Sequence, residues 1–481
     1  MSAANVRRPN LQGRKACVVG SGPNGLAAAI VLAQAGLEVQ VFEAEAQPGG
    51  GARTMELTLP GFHHDFGSAV HPMAIGSPFF SSLPLREHGL NWIQPPAPVA
   101  HPLDDGTAVV LERGFDETER ALGEDGRAWR RLMEPFAKQW DRLAWEILRP
   151  VALLPRTPWL MARLGLISLS SATAVANRVF KGVRAKALFA GIAAHSFLAL
   201  DEPLSGAFGV LLGVTAHAVG WPVPRGGAQS ITDALIGYLR TLGGTLRTSH
   251  RIQSTNDLPV CNLTLWDVSP QQLVAAAGER LTPDFKTQLA AYRYGSGVFK
   301  VDYALSQPIP WKAPEVLRAG TVHIGGTLEE IATSEYAMRH GRVAERPFVL
   351  LSQPTLFDPT RAPEGKHIAW AYCHVPNGSM WDMLDRLESQ IERFAPGFRD
   401  CVLARRVFTP AGLQAMDANL VGGDIAGGAS TLKQFIFRPT WRMYATSAPD
   451  IYLCSASTPP GAGVHGMCGY NAAKLALSRL R

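Results

Sequence analysis

The residues best suited to chemistry stand near the start of the chain. Gly20-x-Gly22-x-x-Gly25 follows an apolar run at Ala16–Val19 and opens an alanine-rich stretch, and a second run, Val39–Phe42, ends in Glu43. The three glycines differ in what they do: Gly20 makes a tight turn, Gly22 lets the backbone approach a pyrophosphate, and Gly25 lets helix and strand pack closely. Pro23 and Asn24 begin the helix, whose free N–H groups and positive dipole end favour phosphate charge. Glu43 can accept hydrogen bonds from both ribose hydroxyls, with Ala44 beside it, and so disfavours a 2′-phosphate. The glycines alone are a weak signal. Strand, turn, helix, strand and acid in that order predict a dinucleotide-binding unit.

A second glycine-rich turn follows the acid, at Gly49-Gly50-Gly51-Ala52-Arg53. A flavin dinucleotide, longer than a nicotinamide one, needs this further backbone approach, and Arg53 can supply a charge-assisted hydrogen bond to its pyrophosphate. Here the chain resembles the flavin amine oxidase and phytoene desaturase superfamily, most closely its phytoene-dehydrogenase-like FAD oxidoreductases. The resemblance returns at Trp221–Leu235 and Asp450–Leu477. It implies FAD, a loop of Gly50, Gly51 and Ala52 closing over it, and the Ile252 backbone against adenine. Two departures stand out. Gly49-Gly50-Gly51 replaces the family's Gly-Gly-Arg, and the hairpin expected after Ile252 is cut short by Thr255–Pro259.

The last helix, starting at about Met467 to Gly469, points its N-terminus toward charge on a reduced flavin, which makes Gly463, Gly466, Met467 and Gly469 further cofactor candidates. Gly461-x-Gly463-x-x-Gly466 repeats the spelling of the first turn, but no second strand and acid follow it, so a two-nucleotide reductase is not expected. His465 in this loop is a candidate to polarise the flavin or act as base. Cys468 is read as a small buried hydrophobe in preference to a covalent flavin link. Lys300 shares a strand face with Asp302 in Val298–Tyr303. The simpler placement is a solvated ion pair; if that face lines a cavity, the lysine would hold a water at flavin N5, as in related amine oxidases. His63, His64 and Asp65 alternate faces on a strand and do not suit a chelate, so no metal is expected. His71, His195, His217, Tyr372 and His374 are further cavity candidates, each more simply structural.

The elements that must position these residues are spread along the chain. The expectation is an α/β fold: a discontinuous Rossmann-type FAD-binding domain of glutathione-reductase-like ββα type, with an inserted substrate domain of mixed sheet plus helices. Residues 1–75, 222–261 and 440–481 form the cofactor domain, 76–221 a mainly helical insert and 262–439 a mixed-sheet insert. At 481 residues the chain exceeds a single core. Its 46 Lys+Arg against 40 Asp+Glu are dispersed, which argues against a nucleic-acid partner. Six cysteines without metal-ligand spacing, and no apolar leader before Ala16, suit a cytoplasmic protein.

Pro203–Pro224 carries no charged residue and reads as a buried helix from about Leu204 to Ala218, the wall of a lipophilic pocket. Leu148–Lys186 holds seven Lys or Arg and no acid, which admits peripheral contact with an anionic membrane. The resulting expectation is an FAD-dependent oxidoreductase that passes hydride between a large apolar substrate and flavin N5, with oxygen or a quinone as electron acceptor. Amine oxidation, redox-neutral isomerisation and a non-enzymatic flavin-stabilised scaffold are the alternatives. The sequence leaves the oligomeric state open.

Overall fold

A computed structural model describes residue 11 and residues 13–480. Five strands form a wholly parallel sheet in the order Ile451–Leu453, Leu263–Trp266, Lys15–Val19, Glu38–Phe42, Thr245–Arg247. Parallel sheets are covered on both faces, which is why these strands read as apolar runs. The helix Pro23–Gln34 lies against one face, with Gln229–Thr241 and Met467–Arg479 packed beside it. Leu273, Phe285 and Leu289, from the helices Pro270–Ala277 and Pro283–Ala290, join a core with Val19, Phe42 and Trp266.

The strand Leu263–Trp266 lies past residue 261, where the middle cofactor segment was expected to end. It pairs in register with the first strand, Ala16 opposite Leu263, so the second insert begins later than 262. Short apolar runs such as LTLW do not reveal their sheet, because pairing is decided by partners far away in sequence.

The second sheet has seven strands in the order Val402–Phe408, Gly297–Leu305, His367–Val375, Val349–Ser352, Ala319–Ile324, Ala97–Pro102, Ala108–Leu111. It is antiparallel except where Ala319–Ile324 runs beside Ala97–Pro102. Region 76–221 is thus not simply helical: two of its strands complete the sheet of the later insert. The helix Ser205–Ala218 packs among the helices of this region, with Gly209 admitting the Phe189 ring to a position 2.7 Å from where a Cβ would stand. Its lack of charge follows from burial on nearly every side. Among the described residues no helix is long and apolar enough to cross a membrane.

Candidate active site

The glycine turn is built tightly. Gly20 has φ +97°, open to glycine, and a Cβ on Gly25 would collide with the Gly20 carbonyl. Gly22 stands at the start of the helix Pro23–Gln34. A cleft of about 100 Å3 runs past Gly20, Gly22, Glu43, Ala44, Arg53 and Ile252. The structure therefore brings these six candidates together. Glu43 is fixed at its edge: one oxygen accepts the Ser21 amide at 2.9 Å and the other the Glu45 amide at 2.9 Å. Arg53 is more committed than its sequence role required. Nε donates to the Gly50 carbonyl at 2.7 Å and Nη2 to the Met416 carbonyl at 2.8 Å, while the guanidinium lies over Phe66. It ties the second glycine turn to a distant loop, and two of its nitrogens are spent doing so.

Two acids border the cleft that sequence reasoning did not single out. Asp267 follows the strand Leu263–Trp266, and its carboxylate accepts the Gly25 amide at 2.8 Å. That amide is one of the helix N-terminal donors expected to face phosphate. Burial pushes the Asp267 carboxyl up to about 7, against the Gly25 hydrogen bond, and nearby Asp417 and Glu43 raise it further. Burial likewise raises Asp417. Asn419 clamps the loop, donating to the Asp267 carbonyl at 3.0 Å and accepting the Ser269 amide at 2.8 Å. One signal for Asp267 was present in the sequence: LTLWD, like VQVFE, is a strand ending in an acid, and ligands sit at the carboxyl ends of parallel strands.

The cleft continues into a cavity of about 350 Å3, bordered by Gly22, Pro23, Asn24, Gly50, Gly51, Ala52 and Gly463 on the cofactor side. One face of the seven-stranded sheet forms the opposite wall. Across it Lys300 pairs with Tyr372, Tyr372 with Leu350, and Leu350 with His323. Lys300, Tyr372, Leu350 and Trp370 all border the cavity. The expected solvated Lys300–Asp302 pair is corrected here: Lys300 is 3% exposed and Asp302 fully buried, and the two form an ion pair. Every residue of Gly297–Leu305 is buried, so alternation along this strand separates two covered faces and not a wet from a dry one. Burial pushes Asp302 up to about 6, with Lys300 opposing. The Lys300 ammonium also lies 5.5 Å from the Phe408 ring centre and 5.9 Å from that of Trp370.

The remaining candidates lie behind this surface. Gly466 has φ +69° and admits Phe80 and Ala27, while a Cβ on Gly469 would collide with the Asn24 carbonyl. Both serve the packing of the last helix on Pro23–Gln34. Met467 is fully buried, and its amide donates to His465 Nδ1 at 3.0 Å. His465 does not border the cavity; its ring is buried, and desolvation lowers it to about 4. The helix amide occupies its Nδ1, so the ring is held behind the cavity border with only Nε2 unbonded. Cys468 is buried and its thiol is pushed up to about 12, chiefly by desolvation. Asp65 pairs with Arg361 at 2.9 Å. His195 and Tyr372 border the cavity, whereas His217 is held between the Trp129 indole and the Arg113 carbonyl, and His374 pairs with Glu335 at 2.7 Å. His71 is buried beside Ser68.

Residues 18–79 match the NAD(P)-binding Rossmann-like domain family. The chain is 26% identical to pyridine nucleotide-disulfide oxidoreductase domain-containing protein 2 of Mus musculus, over 97% of this chain and 94% of that protein. It is 24% identical to the lycopene-forming phytoene desaturase of Pseudescherichia vulneris, over 94% and 96%. Among solved structures, a triple mutant of putrescine oxidase superposes with a TM-score of 0.62 at 16% identity, over 97% and 99%. Fold and site together define an oxidoreductase with a Rossmann-type domain. The chain resembles phytoene desaturases over nearly its whole length and shares the fold of putrescine oxidase, within a superfamily whose members generally use FAD.

Proposed function

We propose that this chain binds FAD along the cleft and cavity and acts as a dehydrogenase or desaturase on a large apolar substrate. One observation carries the reading: Gly22, Gly50, Asp267, Asp417 and Asn419 border both spaces, so the dinucleotide cradle opens directly into the apolar chamber. The residues fit the cofactor. A Cβ on Gly50 would stand 3.4 Å from Gly22 Cα, so two bare backbones face each other where a pyrophosphate needs room. The fixed Glu43 acceptors suit a ribose. Protonated Asp267 tolerates the pyrophosphate charge, and its raised titration supplies that form near neutrality.

Bound FAD would supply the hydride acceptor. The chain's part is to orient substrate, exclude water and hold a proton at Lys300 Nζ, the only lysine or arginine among the described residues that border the cavity. Trp370 and Tyr372 stack at 5.5 Å and 14°, side by side on one strand. They make a flat aromatic wall suited to a conjugated or isoprenoid chain, not the facing pair of an amine cage.

The test is FAD content of the purified protein, followed by anaerobic reduction with dithionite and stopped-flow mixing with aerated buffer. Stoichiometric FAD with slow reoxidation is expected, consistent with a quinone or similar acceptor; rapid reoxidation points to an oxidase, and absence of flavin overturns the reading. Peripheral membrane contact is a further part of the proposal. Leu154, Trp159, Leu166 and Leu169 are 71% or more exposed beside Arg156 and Arg163, all within the acid-free Leu148–Lys186 segment. The helix Pro158–Ser168 packs on Ser205–Ala218, which lends Leu212 to the cavity, so a bilayer would lie close to the substrate chamber.

A further inference from the structure

His195 and His323 meet through their Nε2 atoms at 2.9 Å. Both rings are neutral. Burial lowers His195 to about 3, helped by His374, and holds His323 well below its ordinary value, helped by His195 and His101. Two neutral imidazoles in Nε2-to-Nε2 contact share one proton between those atoms, so only two arrangements exist. Either His195 carries Nε2–H and His323 carries Nδ1–H, or His323 carries Nε2–H and His195 carries Nδ1–H.

The surroundings of His323 Nδ1 decide between them. That atom is buried without a partner and faces the helix Val183–Ala193 at Gly191, where a Cβ would stand 2.8 Å away. The first arrangement strands a donor N–H there. The second leaves only an unused lone pair, and a buried orphan donor is the rarer and costlier of the two. His195 borders the cavity, and its Nδ1 has no protein partner among the described residues.

We infer that His195 presents an Nδ1–H donor to the cavity, positioned by His323, and that the substrate carries an oxygen acceptor, an ether, carbonyl or hydroxyl oxygen, at that place. Thr321 Oγ1 and Trp370 Nε1 are buried and unpartnered, and both residues border the cavity. A pure hydrocarbon would leave the His195 donor unanswered. The row Lys300, Tyr372, Leu350, His323 crosses three strand spacings, so His323 stands about 14 Å along the sheet from Lys300. The substrate is therefore elongated, oxygenated at one end and flanked by Lys300 toward the other. This rests on the apolar-substrate reading above.

The experiment compares farnesyl methyl ether, whose oxygen only accepts, with farnesene, binding each to the purified holoenzyme and following tryptophan fluorescence and the flavin spectrum. The ether is expected to bind about tenfold more tightly, a preference lost in His195→Phe and partly restored in His195→Gln, which keeps a donor. In parallel, 15N spectra of histidine-labelled protein, assigned by loss of a signal in His195→Gln, should show Nδ1 of His195 protonated. Equal binding of the two probes, or a bare Nδ1 at His195, overturns the inference. Failure of both probes to bind counts against the apolar-substrate reading instead, and the nitrogen spectrum then decides His195 alone.

Discussion

The Asp267 carboxylate accepts the amide of Gly25 at 2.8 Å, placing an acid at the helix end where a dinucleotide pyrophosphate is drawn. Burial holds its carboxyl near 7. The sign follows directly: protonated Asp267 tolerates the pyrophosphate, ionised Asp267 repels it, so affinity falls as pH rises through about 7. FAD binding to apoprotein should weaken about fivefold between pH 7 and 8, approaching tenfold per pH unit only at higher pH. Asp267→Asn keeps an acceptor for Gly25 and should flatten that slope; an unchanged pH dependence in isothermal titration would show that Asp267 does not face the cofactor.

Glycines 22 and 25 separate cofactor binding from folding. A Cβ on Gly25 collides with the Gly20 backbone, whereas one on Gly22 meets the Asp267 side-chain oxygen at 2.7 Å, which can yield only by loosening its hydrogen bond from the Gly25 amide. Gly25→Ala should cost about 2–3 kcal/mol of stability, read as a lowered melting temperature. Gly22→Ala, which displaces a side chain and not backbone, should lose less stability than Gly25→Ala yet retain less FAD. Equal melting temperatures for the two variants would contradict the packing assigned to Gly25.

Lys300 and Asp302 form a buried pair, so removing one partner exposes the other's desolvation. Lys300→Met should retain FAD, lose about a hundredfold in turnover with a lipophilic substrate, and lose about 3 kcal/mol of stability. Adding Asp302→Asn should restore much of the stability and none of the turnover. Full turnover in Lys300→Met would remove the lysine from the chemistry.

The contrast between these sites explains what was legible in the sequence. The turn at Gly20–Gly25 and the acid at Glu43 are local: their spacing reports backbone geometry within one βαβ unit, and the structure sets both on the cleft. Lys300 was obscured because alternation shows which residues share a face but not whether that face is wet, and this strand is buried throughout. Asp267, Asp417 and Asn419 come together only by tertiary packing, across about 150 residues between Asp267 and Asn419. The glycines near the last helix carried a signal with two meanings. Close helix packing and cofactor approach both demand glycine, and Gly466 and Gly469 serve the former.

Buried neutral histidines set the acid limit of the fold. His64 is lowered to about 3, His71, His101, His217 and His465 to about 4, and His323 well below its ordinary value, each chiefly by desolvation. A folded-state value below the unfolded one means that stability is present above about pH 6.5 and is lost as pH falls, because only the unfolded chain takes up protons. Each ring contributes about 1.4 kcal/mol per pH unit. Six of them remove about 8 kcal/mol by pH 5.5, within the range of a whole domain's stability. Asp267 and Asp302, raised to about 7 and 6, act in the opposite sense and offset a part. Near-UV circular dichroism should show unfolding between about pH 5 and 6; a native spectrum at pH 4 would mean these rings gain protons in the folded state.

The exposed apolar residues around Trp159 give a test that is independent of the cofactor. Trp159 is 88% and Leu166 71% exposed on the helix Pro158–Ser168, with Arg163 between them. An apolar face beside basic residues binds anionic bilayers through area and charge together, so binding should weaken with added salt. The protein should sediment with vesicles containing phosphatidylserine and much less with phosphatidylcholine alone. Trp159→Glu with Leu166→Glu should abolish sedimentation while leaving the melting temperature near wild type, since both side chains already stand in solvent. Undiminished sedimentation of that double variant would move the membrane contact elsewhere on the surface, and no sedimentation of the wild type would end the proposal.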